Sequence, residues 1–98
     1  MVGISEQAAR DRGLRIRVQT NDMRGWLSAK TYAESAAWAK VVIDEASDRI
    51  LGAHILGHLA EELIHIFALA IRHGITAGDL RDTVYAFPTF SADIKFLV

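Results

Sequence analysis

Apolar and polar positions alternate cleanly in "LRIRV", residues 14–18: Leu14, Ile16 and Val18 fall on one face, Arg15 and Arg17 on the other. That period of two predicts a half-buried strand. Ser5 before it can cap a short helix over residues 6–12 that Gly13 ends. The polar run "QTNDMRG" reads as a loop, and residues 26–35 show no regular period. Two apolar strands follow, "AAWAKVVID" and "RILGAHILG", joined by "EASD" as a short hairpin connection.

From Leu59 the period changes. Ala60, Leu63, Ile64, Phe67, Ala68 and Ile71 recur at helical spacing, Leu59, Ile66 and Ala70 widen the apolar band, and Gly74 sits at the C-cap position. A helix apolar over most of its circumference is expected between two surfaces, here the sheet and a partner. Thr76 with Asp79 three residues on makes a shortened form of the capping box that opens a short helix to about residue 83. In "YAFPTF", residues 85–90, Pro88 fixes its own φ and pushes Phe87 toward an extended conformation, so a shaped loop is expected. Ser91 would cap a last turn or two carrying Ile94, Leu97 and Val98. The order predicts an α+β fold, a small antiparallel sheet of three or more strands packed against helices.

A chain of 98 residues fits one domain and buries a limited core, so association would help it. With 51% apolar residues, 23% charged residues and a net charge of -1, it reads as a folded domain with interfaces to cover. Arg10, Arg12, Arg15 and Arg17 cluster, but Glu6 and Asp11 lie among them, which argues against a nucleic-acid surface. Cysteine is absent, excluding a disulfide scaffold, a thiolate zinc site and a redox dithiol carried by these residues. The longest apolar stretch, residues 66–71, is too short to cross a bilayer, and the N-terminus lacks the pattern of a signal peptide. A cytoplasmic location is the expectation.

Candidate chemistry is sparse. Glu62 and His65 make the i, i+3 pair that carboxylate di-metal sites place on one helix, and His58 lies nearby. No second such pair exists, so polar decoration of the helix end is the simpler reading and a small metal-binding protein the alternative. His54 lies on the strand face opposite Ala53 and Ile55, and His73 suits a helix C-terminus. "GAHILG" lacks the glycine turn of a dinucleotide fingerprint, and no P-loop lysine follows. Thr89 and Ser91 have no positional signature of a nucleophile. Tyr85, Phe87, Phe90 and Phe96 suit a satellite core, an interface anchor or a flat cofactor face.

These segments together resemble the C-terminal dimerisation domain of the FAD-dependent pyridine nucleotide–disulfide oxidoreductases. "VGISEQAARDRG" is similar to that family's V-G-L-T-E-x-x-A-x-x-x-G, and "AKVVIDEASDRILGAHILG" to its hairpin. "GHLAEELI" resembles G-x-x-A-x-E-x-I, with Glu62 at the glutamate, and "GITAGDLRDTVYAFPT" resembles the approach to a His-Pro-Thr motif. A helix apolar on two sides, in a domain too small to bury both, predicts a homodimer built on Leu59, Leu63, Ile66, Phe67, Ala70, Tyr85, Phe87 and Phe90, which agrees with the resemblance. The resemblance also implies that Pro88 and Thr89 lie beside the flavin of the other subunit.

In the family the loop histidine exchanges protons with a dithiol, and a glutamate five residues on orients it. Those positions here are Phe87 and Ala92, which have no titratable group and no side-chain acceptor. Asp93 comes one residue late, a rotation of roughly 100° in a helical turn. The resemblance therefore implies a dimerisation domain without the catalytic pair and without turnover alone. FAD and NAD(P)H would belong to a full-length parent, with a flavin domain in cis or trans. It further implies that a first strand is missing, since only "VG" remains of the family's opening strand. A free-standing homodimeric interaction module is the alternative.

Overall fold

In the computed structural model, residues 1–23, 26, 37–57, 59–86, 89 and 91–98 are described. The polypeptide forms β1 (Val2–Gly3), α1 (Glu6–Asp11), β2 (Ile16–Asp22), β3 (Trp38–Asp44) and β4 (Ile50–Leu56). Then come α2 (Ala60–His73), α3 (Ala77–Asp82) and a 3-10 helix (Ser91–Phe96). The strands make one four-stranded antiparallel sheet in the order β1-β4-β3-β2. An antiparallel sheet packed against helices is the α+β fold expected from the pattern.

The hairpin of β3 and β4 occupies the middle of the sheet because both strands carry apolar residues on successive positions. Ala39, Val41 and Ile43 of β3 join Ile50 and Ala53 of β4 in a core closed by Leu63, Phe67 and Ala70 of α2. Val42 and Ile43 are both fully buried because each of the two faces they occupy is covered, and between them the pairing on β4 steps from Gly52 to Ile50. Val42 points to the opposite face, where α1 lies: Glu6 reaches the Lys40 ammonium at 3.1 Å, and Ala9 is fully buried. The sheet thus has α2 on one side and α1 on part of the other.

The helix ends follow their sequence signals. The Ser5 hydroxyl accepts from the Ala8 amide at 3.1 Å, and Gly13 beyond α1 has φ of +71°. α2 ends at Gly74 with φ of +66°, which glycine adopts without a side-chain penalty. Thr76 and Asp79 form the full capping box of α3.

Three expectations are corrected. β2 runs through Asp22, so "QTND" is strand and not loop; as an edge strand it tolerates polar residues that half-face solvent. The last helix is 3-10, and Thr89, not Ser91, accepts the hydrogen bond from its Ala92 amide. α2 is not apolar on two sides, because Glu61, Glu62, His65, Arg72 and His73 line its exposed face with Leu69 among them. The irregular reading of residues 26–35 falls, Trp26 apart, outside the described residues.

Candidate functional site

The segment after α3 is built from its hydrogen bonds. Thr83 ends the helix, and its hydroxyl donates to the Asp79 carbonyl at 2.7 Å. Tyr85 turns back so that its hydroxyl donates to the Leu80 carbonyl at 2.9 Å, and burial pushes that phenol's pKa up. Thr89 bridges the loop: its hydroxyl donates to the Ala86 carbonyl at 2.5 Å and accepts from the Ala92 amide at 3.1 Å. Ile94, Leu97 and Val98 then bury themselves in the main core. The loop is therefore pinned at both ends.

Each residue predicted for the site has a definite place or lies outside the description. Ala92 is buried in the 3-10 helix at 7% exposure. Asp93 is half-buried and has a partner of its own. Thr89 is exposed, and its hydroxyl is committed to the turn. Phe87, Pro88, Phe90 and His58 fall outside the described residues. Glu62 and His65 are exposed on α2, and no group of three metal-ligand side chains occurs among the described residues.

The interface set divides. Leu63, Phe67 and Ala70 are absorbed by the chain's own core, with Phe67 at 0% exposure, and Ile66 and Tyr85 pack half-buried against it. A partner cannot use side chains already enclosed, so those three are corrected from surface to core. Leu59 remains at the surface in a left-handed conformation, φ 59°. Sequence reasoning missed Leu69 and Val84, which are 57% and 96% exposed. A lone leucine on the polar side of the α2 pattern was the available signal for Leu69. Phe96 is also outward, its ring edge-on to Trp26 at 5.9 Å with the Lys95 ammonium over it at 5.2 Å.

A four-stranded antiparallel sheet backed by one long helix defines an α+β domain. The chain belongs to the pyridine nucleotide-disulphide oxidoreductase dimerisation domain family, which residues 1–97 match. It is 40% identical over 97 residues to an "Uncharacterized 19.7 kDa protein in mercuric resistance operon" of Staphylococcus aureus, covering 99% of this chain and 54% of that protein. To the dihydrolipoyl dehydrogenase of Chlorobaculum tepidum it is 38% identical, covering 96% of this chain and 20% of the enzyme. The solved HOCl-induced flavoprotein disulfide reductase RclA of Escherichia coli superposes with a TM-score of 0.92 at 28% identity, over 98% of this chain and 22% of RclA. The chain thus spans about half of the first relative and about a fifth of the two enzymes. Among the described residues no helix is long and apolar enough to cross a membrane.

Proposed function

We propose that this domain pairs two copies of a flavin-dependent NAD(P)H oxidoreductase-like protein in the cytosol, without contributing the family's acid–base pair. The match of residues 1–97 to the dimerisation domain carries this reading. FAD and NAD(P)H would be held by a flavin domain in cis or trans, and Pro88 and Thr89 would lie beside the flavin of the opposite subunit. Phe87 and Ala92 leave the loop unable to take or give a proton there, so the electron acceptor would be one that needs no thiolate protonated. A longer opening strand in a parent would continue β1 along β4, which runs on to Leu56 beyond its last pair with β1 at Ala53.

Sedimentation velocity at micromolar concentration tests the pairing. A dimer is expected, and Leu69→Glu with Val84→Glu should shift it to monomer, since both are exposed and neither supports the core. A monomer alone for the unaltered chain defeats the proposal. A second reading, a free-standing homodimeric interaction module, is favoured by the Staphylococcus aureus relative, of whose 19.7 kDa the matched region takes 54%. A dimer that co-purifies with no flavoprotein and binds no flavin supports that second reading.

A further inference from the structure

A second place on the molecule gathers basic side chains. A cleft of about 560 Å³ opens where the segment after α1, the start of β4 and the C-terminus of α2 meet. Arg12, Arg49, Arg72 and His73 line it, over an apolar floor that includes Leu14, Leu51 and Ile71. All four basic residues are exposed, and no carboxylate is among the described residues lining the cleft. Three arginines therefore line one cleft in a chain whose net charge is -1.

The plain explanation is that cations gather at a helix C-terminus. A helix end carries about half an elementary negative charge, however, and one guanidinium already exceeds it. With Arg49 also partly balanced by the Asp44 carboxylate, one further guanidinium remains uncompensated. Of the other described arginines, Arg10 pairs with Glu6 at 2.9 Å, Arg17 with Asp48 at 3.0 Å and Arg81 with Asp48 at 4.0 Å, while exposed Arg15 makes no ion pair with a described carboxylate. Arg12 and Arg72 make no ion pair with a described carboxylate; Arg49 makes none either, though its charge helps lower the pKa of the Asp44 carboxyl, which does not line the cleft. One of the three is held in place. The Arg49 guanidinium lies against the backbone of Gly74, where an added Cβ would stand 3.3 Å from its Cζ and Nε. A guanidinium fixed on one side presents its N–H fork with less ordering cost.

We infer that this cleft binds a phosphorylated small molecule, its phosphate among Arg12, Arg49 and Arg72 and its less polar body on Leu14, Leu51 and Ile71. The guanidinium fork matches phosphate oxygens two at a time. The cleft's volume lies within the range of small-ligand pockets, about 300–1,000 Å³, and its basic residues line one concavity in place of following a track. That favours a compact ligand over an extended acidic chain. This inference stands apart from the pairing proposal, since none of these residues is assigned to the subunit interface.

Two-dimensional NMR of the ¹⁵N-labelled 98-residue chain, titrated in moderate salt with inorganic phosphate, pyrophosphate, AMP and an oligoglutamate peptide, tests it. Saturable shifts at residues 12–14, 49–51 and 71–74 are expected for the phosphates. AMP should bind about tenfold more tightly than inorganic phosphate because the floor contributes. Arg49→Gln with Arg72→Gln should weaken AMP binding by roughly a hundredfold, about a decade for each lost charge-assisted contact. Arg72→Gln alone, far out on an exposed helix end, should give about tenfold with an unchanged melting temperature. Unsaturable or scattered shifts, or an unaltered affinity in the double variant, overturn the inference. Tighter binding of oligoglutamate than of any phosphate overturns it too, and marks the cleft as a contact for an acidic polypeptide.

Discussion

Asp48 ties three elements together, and removing its carboxylate should loosen the whole C-terminal half. Its Oδ1 accepts from Arg17 on β2 at 3.0 Å, and its Oδ2 accepts from the Gly78 amide in the first turn of α3 at 2.9 Å. Its own carbonyl accepts from the Ala77 amide at 2.8 Å, a bond that substitution leaves in place. The Arg17 and Asp48 side chains are 37% and 38% exposed, so their pair is worth about 0.2–1 kcal/mol. The helix-start bond, like a side-chain cap, is worth about 0.5–2 kcal/mol. Asp48→Ala should therefore cost about 1–2 kcal/mol, which for a domain of this size is a fall in Tm of roughly 5–15 °C. Asp48→Asn keeps one acceptor and should lose about half as much.

Asp48 has φ of +64°, so Asp48→Gly should melt above Asp48→Ala by relieving backbone strain of about 1 kcal/mol. The Gly78 amide, and after it Arg17, hold the Asp48 carboxyl below the usual carboxylate range against the penalty of burial. A depressed folded pKa means that its stabilisation is complete above the unfolded value, about 3.9, and is lost as pH falls through the lower folded value. Circular dichroism melts at fixed protein concentration, at neutral pH and again in strong acid, read both effects. An Asp48→Ala protein that melts with the wild type at neutral pH, or a difference that persists undiminished in acid, refutes the reasoning.

Two other substitutions probe other joints. Gly52→Ala would drive a Cβ into the Ile4 carbonyl oxygen, with the Ile4 carbon only 3.0 Å away, so β1 must lift from β4 at a cost of about 1–3 kcal/mol. Hydrogen exchange at the Ile4 amide, now bonded to the Leu51 carbonyl at 3.0 Å, should accelerate; unchanged protection would contradict this. Introducing the pair that the family resemblance implies, Phe87→His with Ala92→Glu, should destabilise by about 1–3 kcal/mol relative to Phe87→His alone, because position 92 is only 7% exposed. Equal denaturant midpoints for the two variants would show that the site accepts a carboxylate.

The parts legible in the sequence are those whose signal is local. The hairpin, α2 with Gly74, and the Thr76–Asp79 box each announce themselves within a few residues, and they set the core. β1 is two residues long and exists only because Val2 and Gly3 pair with Ala53 and Gly52. No local pattern specifies that. β2 was cut short because an edge strand needs apolar residues on only part of its length. Counting apolar positions on α2 also overstated its second face, since its alanines and isoleucines wrap the flanks of one buried stripe. The cleft of Arg12, Arg49 and Arg72 was invisible for a simpler reason: its members come from three distant segments, and only the closed fold brings them together.

The sheet order also sets a sequence of events in time. β3, β4 and α2 are consecutive in the chain, neighbours in space, and hold most of the enclosed core. Their loops are short, so they can collapse first at little entropic cost. β1, and α1 behind it in the chain, must then come back from the far end of the sequence, the smallest strand pairing with β4 across the longest span of any strand pair. They should dock last and open first, as one cooperative unit, while the hairpin and long helix stay protected up to global unfolding.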